Sequence, residues 1–325
     1  MKFTKSKIRM MSHLGSCGAY GYAMTMLPEA DARVVACTAD LCFYSGLERF
    51  QRLYPESLYN VGIAEQNLVG IAAGLAHEGY RPYASTYASF ACTRALDQVK
   101  VNLAYMQLPV RLIGLSAGLA AGILGPTHIC IEDLAILRSL PNLVIVSPAD
   151  GMEIVKALEA SLQLEVPFYL RLTGGMELPP VYQEDYDFVI GKAIELRSGE
   201  DIAVISQGSM VSAALKMAEQ LEQAHGIRCK VLNLHTLKPL DEEALDALRS
   251  YPLVVTIEEH SVYGGLGSAV SEFFTRRSQA PRVLRLGVSD FYPHAARYGA
   301  LLEECGLTPE RMEIRVLQEI GRAHV

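Results

Sequence analysis

Twice along this chain, short β-branched runs alternate with helical patterns, and between the two blocks neither pattern survives. In the first block Arg33-Val-Val-Ala-Cys-Thr38, Val110-Arg-Leu-Ile-Gly114, Leu143-Val-Ile-Val146 and Pro167-Phe-Tyr-Leu-Arg171 read as buried strands. Helices are expected between them, at about 64–78, 90–105, 131–139 and 150–163, the last opened by the capping chemistry of Ser147-Pro-Ala-Asp150. The second block repeats the scheme. Strands are expected at Ile202–Ser206, Arg228–Asn233, Leu253–Ile257 and Arg282–Leu286, with helices running to about 224, from Asp241 and from about 265. Strands that are apolar throughout belong in sheets covered on both faces, and strand-helix alternation makes such sheets mostly parallel. The glycines, prolines and acids of 174–190 interrupt the rhythm. The expected fold class is therefore α/β, with two consecutive domains at residues 1–175 and 191–325, joined by a linker at 176–190. Each is a mostly parallel sheet with helices on both faces.

A chain of 325 residues suffices for two cores. A net charge of -7 without any basic run argues against a nucleic-acid or anionic-membrane surface. The basic amino-terminal segment lacks the apolar core of a signal peptide, and no apolar stretch is long enough to span a bilayer. Seven cysteines, odd in number and without CxxC spacing, read as reduced thiols of a cytoplasmic protein.

One segment stands apart chemically. Residues 59–76 form a small-residue apolar helix pattern with a single carboxylate, Glu65, and no Lys or Arg within four residues on either side. Glycines 62, 70 and 74 leave room for another backbone or a flat ligand. A carboxyl placed there without a cationic partner from elsewhere is expected to be proton-active near neutrality. The plainer reading is a first-turn acid stabilised by the helix macrodipole by roughly 0.3–1 kcal/mol. Other motifs also admit two readings. Gly264-Gly-Leu-Gly267 fits either an anion site or a tight strand-to-helix turn, and Glu258-Glu-His260 before it reads as a solvated or interface-facing strand end. His128, in Gly125-Pro-Thr-His, is either catalytic or a loop residue. Tyr87 and Phe90 are either core or a stacking wall for a flat ring.

Taken together, Asn60-Val-Gly-Ile-Ala-Glu-Gln-Asn, Pro82-Tyr-Ala-Ser-Thr-Tyr-Ala-Ser-Phe, Gly125-Pro-Thr-His-Ile-Cys-Ile-Glu-Asp-Leu-Ala, Ser147-Pro-Ala-Asp and Val255-Thr-Ile-Glu-Glu-His resemble the transketolase family in order and spacing. The resemblance runs from about residue 8 to 318 and covers that family's pyrimidine-binding and C-terminal domains. It implies thiamine diphosphate as cofactor. In that frame Glu65 matches the glutamate that hydrogen-bonds N1′ of the aminopyrimidine, while Phe90 and Tyr87 match the aromatic wall beside the ring. Asp40 matches an aspartate near the cofactor, and His128 a histidine that meets substrate oxygens.

The family's Gly-Asp-Gly motif, which carries the diphosphate through Mg²⁺, is missing. The resemblance therefore implies a separate diphosphate-binding subunit holding the metal, in a split transketolase assembled as α2β2, with this chain contributing no metal ligand. The family's sugar-phosphate clamp of two arginines and a histidine aligns with His13, Gly174 and Ser116, and Leu124 replaces a sugar-reading aspartate. Substrate groups expected from this chain are His13, Ser45, Ser116 and His128, for an unusual or sulfonated ketose or a rebuilt phosphate site. Two alternatives stay open: a 2-oxoacid dehydrogenase β subunit or deoxyxylulose-phosphate-synthase-like enzyme, and a catalytically silent structural or regulatory subunit.

Overall fold

The computed structural model of the protein describes residues 3–322. Met1 and Lys2 of the basic amino-terminal segment, and residues 323–325, lie outside the described residues. Twelve strands are found among the described residues: β1 Val34–Thr38, β2 Leu58–Asn60, β3 Arg81–Tyr87, β4 Arg111–Leu115, β5 Val144–Val146, β6 Phe168–Arg171, β7 Ile194–Arg197, β8 Ile202–Ser206, β9 Cys229–Asn233, β10 Thr236–Lys238, β11 Leu253–Ser261 and β12 Arg282–Val288. They form two sheets, ordered β10-β5-β6-β4-β3-β1-β2 and β12-β11-β8-β9-β7. Every pairing is parallel except β10 with β5 and β7 with β9, both at sheet edges. The strands β1, β4, β6 and β8 are buried along their whole length, as continuous apolar runs require. Separate apolar layers pack on the faces. One includes Leu68, Val69 and Ala72 of the Glu65–His77 helix, and another Met11, Ala19 and Tyr20 of the Lys5–Met24 helix with Ile154 and Leu158 of the Gly151–Ser161 helix.

The sheets are not independent. The β10 strand lies between β9 and β11 in sequence, yet it pairs with β5 of the first sheet. The segment after β6 carries no helix or strand until β7, but it is fastened down. Backbone N–H groups of Val181 and Tyr182 donate to Asp150 Oδ2, and the Tyr182 and Tyr186 hydroxyls donate to Glu153 Oε1. Asn233 at the end of β9 donates to the same carboxylate. Buried Asp133 accepts from Arg171 Nε at 2.8 Å and from the Tyr169 hydroxyl at 2.8 Å, while Arg171 Nη2 donates to the Glu259 carbonyl of the second sheet at 2.9 Å. No helix among the described residues is long and apolar enough to cross a membrane.

Several elements differ from their sequence expectation. The 90–105 segment is not one α-helix: wide π turns at Phe90–Arg94 and Val99–Tyr105 flank a short α turn at Leu96–Gln98. β3 runs through the middle of the first sheet although its sequence contains Pro82. β11 continues past Ile257 to Ser261, so Glu258, Glu259 and His260 are buried strand residues and not a solvated end.

Candidate active site

Parallel strands deliver their carboxyl ends to one edge of a sheet, where loops can converge on a ligand. At that edge of the first sheet lie Asp40 after β1, Tyr87 ending β3, Ser116 after β4 and Gly174 after β6. Beyond β2 the chain turns through Gly62, at φ 74°, and enters the Glu65–His77 helix with Glu65 as its first residue. Glu65 is 3% exposed, so a carboxylate is held at a helix N-terminus inside the protein. A Cβ at Gly62, Gly70 or Gly74 would meet nothing within 4 Å, so this chain does not fill the space those glycines leave.

The local sequence gives Glu65 no cationic partner, but the fold supplies one from elsewhere. Arg94 Nη1 donates to Glu65 Oε1 at 2.8 Å, from 29 residues downstream. The first π turn carries both Arg94 and Phe90, and the guanidinium lies over the Phe90 ring at 4.1 Å from its centroid. Such turns widen a helix locally and are frequent at functional positions. Arg94 lies far from Glu65 in sequence, and its only local mark is a basic residue four positions after the candidate stacking ring Phe90.

Phe90, Tyr87 and His128 form one aromatic cluster. Tyr87 and Phe90 stand edge-to-face at 5.9 Å, and the His128 ring lies 5.2 Å from each. Burial is the main influence raising the Tyr87 hydroxyl above its ordinary range. His128 Nδ1 is 2.9 Å from the Thr127 hydroxyl, which fixes the ring's orientation. Behind the cluster Cys92 and Cys130 are in contact, with Sγ atoms 3.7 Å apart, so the Phe90 and His128 segments share one packed base. Asp40 is exposed, in a left-handed conformation at φ 60°, and Asn60 ties it by bonds to its backbone N–H and its carboxylate.

A separate cleft is lined by Leu14, Ser16, Cys17, Tyr44, Ser116 and Gly174, with no Lys or Arg among its described lining residues. Burial pushes the Cys17 thiol up to about 11, so a neutral S–H faces Ser16 and Ser116 there. Ser116 and Gly174 thus line the same cleft. Ser45 does not join them: it is fully buried, and its hydroxyl donates to the Cys42 carbonyl within its own turn. His13 stands exposed, 3.6 Å from Glu177. Gly174 has φ 97°, and a Cβ there would sit 2.7 Å from Leu178 Cδ1. An arginine here would hold a strained left-handed φ and would have to push the Leu178 side chain aside.

Gly264-Gly-Leu-Gly267 does bind an anion, but an internal one. The Leu266 and Gly267 N–H groups donate to the two oxygens of Glu258, at 2.6 and 2.8 Å. Burial nevertheless pushes Glu258 up to about 7, and it pushes the neighbouring His260 down to about 4. Glu259 accepts from Ser209, from Tyr298 and from the Leu119 N–H, and its carboxyl is raised by burial. No trio of His, Cys, Asp or Glu placed to hold a metal ion occurs among the described residues.

Comparison with known proteins gives a consistent picture. Residues 16–176 match the family model for the transketolase pyrimidine-binding domain, and residues 191–312 that for the transketolase C-terminal domain. The chain is 38% identical over 295 residues to the 6-deoxy-6-sulfo-D-fructose transketolase subunit SqwH of Clostridium sp. (strain MSTE9), covering 90% of each chain. It is also 38% identical to 1-deoxy-D-xylulose-5-phosphate synthase of Synechococcus elongatus, but spans only 48% of that protein. A solved split-gene transketolase, described as an inactive beta4 tetramer, superposes with a TM-score of 0.86 at 37% identity, covering 94% of this chain and 98% of the other.

Proposed function

Because the chain belongs to the transketolase family, we propose that it is the pyrimidine-binding subunit of a thiamine diphosphate-dependent transketolase built from two kinds of chain. It moves a two-carbon ketol unit from a ketose, phosphorylated, sulfonated or otherwise unusual, to an aldose phosphate. It acts in the cytoplasm as an α2β2 assembly with a diphosphate-binding partner. One observation carries the reading: a buried carboxylate, Glu65, and an aromatic face, Phe90, lie within reach of a single planar group.

That pair of residues fits one end of thiamine diphosphate. An aminopyrimidine needs a flat apolar face to stack on and a carboxyl at its ring nitrogen. The other end finds no fit here, since the described residues offer no metal-ligand trio and the sequence no Gly-Asp-Gly. Diphosphate and Mg²⁺ are therefore assigned to the partner.

When bound, the cofactor supplies a nucleophilic carbon and an electron sink for the ketose fragment. The chain's own residues orient and protonate. Glu65 would hold ring N1′ by a hydrogen bond and supply the carboxyl that exchanges a proton there. Phe90, backed by Tyr87, presents the stacking face and excludes water. With Nδ1 against Thr127, His128 offers Nε2 to substrate oxygens. Asp40 stands at the cofactor edge of β1. Ser116, with Ser16 and Cys17, gives neutral hydrogen-bonding groups for sugar hydroxyls, and His13, exposed beside Glu177 and next in sequence to the cleft-lining Leu14, is the imidazole for an anionic end of the sugar.

The test is reconstitution. With thiamine diphosphate and Mg²⁺, ketol transfer is expected from the pair of chains and not from this chain alone. Full turnover by the lone chain would contradict the shared site. Pyruvate replacing the ketose as donor would favour the synthase-like or dehydrogenase alternative, and absence of cofactor binding by the assembled pair would favour a silent subunit.

A further inference from the structure

We propose that the Arg94 guanidinium occupies the seat of the aminopyrimidine, stacked on Phe90 and donating to Glu65, and that it must be displaced for the cofactor to load. This rests on the function proposed above, because only an aminopyrimidine site makes Arg94 a stand-in. The guanidinium and the ring are chemically alike in the two respects that matter. Each is planar, and each presents a nitrogen that hydrogen-bonds a carboxyl group. Arg94 makes both contacts at once, at 2.8 Å to Glu65 Oε1 and 4.1 Å to the Phe90 centroid. A ring that touches Glu65 while lying on Phe90 must use the Phe90 face on the Glu65 side, and the guanidinium already covers it.

The competitor is built to leave. Glu65 is 4% exposed at its side chain, but Arg94 is 47% exposed. The carboxylate and the aromatic ring are fixed by the fold, while the arginine reaches them from the solvent side. It borders an open depression with Ile63, Ala64, Gln66 and Asn67, into which its long side chain can swing. Until then Arg94 neutralises a buried carboxylate that has no other cationic partner among the described residues. Arg94 is therefore a placeholder: in the unloaded subunit it compensates the charge of Glu65 and covers the Phe90 face, at the cost of competing with the cofactor.

The experiment measures thiamine diphosphate binding, with Mg²⁺, to the assembled two-chain complex by calorimetry, comparing the parent with Arg94→Ala and Arg94→Lys. Losing a half-exposed ion pair and a cation–π contact is expected to tighten cofactor binding about five- to twentyfold in Arg94→Ala. Arg94→Lys keeps the charge but not the planar stack and falls between. Thermal melting of the isolated variants checks that both fold. The isolated full chain is also titrated with 4-amino-2-methylpyrimidine, followed by NMR of the Arg94 side-chain nitrogens. Their signals are expected to move toward those of a free guanidinium as the pyrimidine binds. Unchanged or weaker cofactor binding in Arg94→Ala, or Arg94 signals unmoved at saturation, would overturn the displacement. If neither the parent nor the variant complex binds thiamine diphosphate, the functional reading fails, and the displacement with it.

Discussion

Arg171 and Asp133 face one another at 2.8 Å with 1% and 0% of their side chains exposed, and the same guanidinium donates to the backbone carbonyl of Glu259 in the second sheet. Burial opposes the arginine's charge, but Asp133 outweighs it and the guanidinium is held above its ordinary range. Breaking one side of such a pair strands a charge in the interior. Asp133→Asn is expected to destabilise the protein by about 3–5 kcal/mol, read from the shift in urea midpoint. The double replacement Asp133→Leu with Arg171→Met is expected to cost less than the single change; a double variant at least as unstable would show that the charges themselves hold the two sheets together.

Two buried histidines set an acid limit. Burial lowers both His235 and His260 to about 4, below the ordinary 6.5. The unfolded chain therefore binds more protons than the folded one between about pH 4 and 6.5, and their contribution to stability is lost as pH falls through that window. Asp150, raised by burial to about 6, and Glu258, raised to about 7, act with the opposite sign, since they lose stabilisation as pH rises. Comparison of variant and parent separates the terms: His260→Asn is expected to weaken the acid-side loss by up to about 3 kcal/mol between pH 6.5 and 4. Parallel stability curves for the two proteins would remove His260 from the acid response.

For Glu65 the expectation is kinetic. In the assembled enzyme Glu65→Gln is expected to lower turnover about 100- to 10,000-fold while leaving assembly intact by size-exclusion chromatography. Turnover within a fewfold of the parent would take the carboxyl out of the proton transfer.

Gly174 marks the departure from the family's anion clamp. Its φ of 97° and the 2.7 Å approach of Leu178 to a Cβ make any side chain there strained. Gly174→Ala is expected to cost about 1–3 kcal/mol by thermal melting, and Gly174→Arg is expected to leave KM for a phosphorylated donor no lower. A tightened KM in that variant would show that the cleft adapts to an arginine.

The parts of this molecule visible in its sequence are those written in local periodicity. Continuous apolar runs identified β1, β4, β5, β6, β8 and β9 within a residue or two, because a doubly covered parallel strand needs no other signal. The β3 strand has no such mark, because Pro82 argues against a central strand and Ser85 and Thr86 dilute its apolar character, yet all three are buried in the sheet. The short helix run from Glu65 was legible, as was its chemical oddity. Its counter-charge was not, because Arg94 arrives through tertiary folding across 29 residues. The same limit applies to Glu258 and Glu259: adjacent acids at a strand end look solvated until the Gly265–Gly267 turn and Ser209, Tyr298 and Leu119 close around them.

The pairing of β10 with β5 has an outcome for biosynthesis. A ribosome releases β5 some ninety residues before the strand that shields its open hydrogen-bonding edge, so the first sheet stays unfinished until the second is half made. A chain ending at residue 190 would lack β10 and leave the hydrogen-bonding edge of β5 open. Amputating the second half would leave a sticky sheet and not a freestanding module.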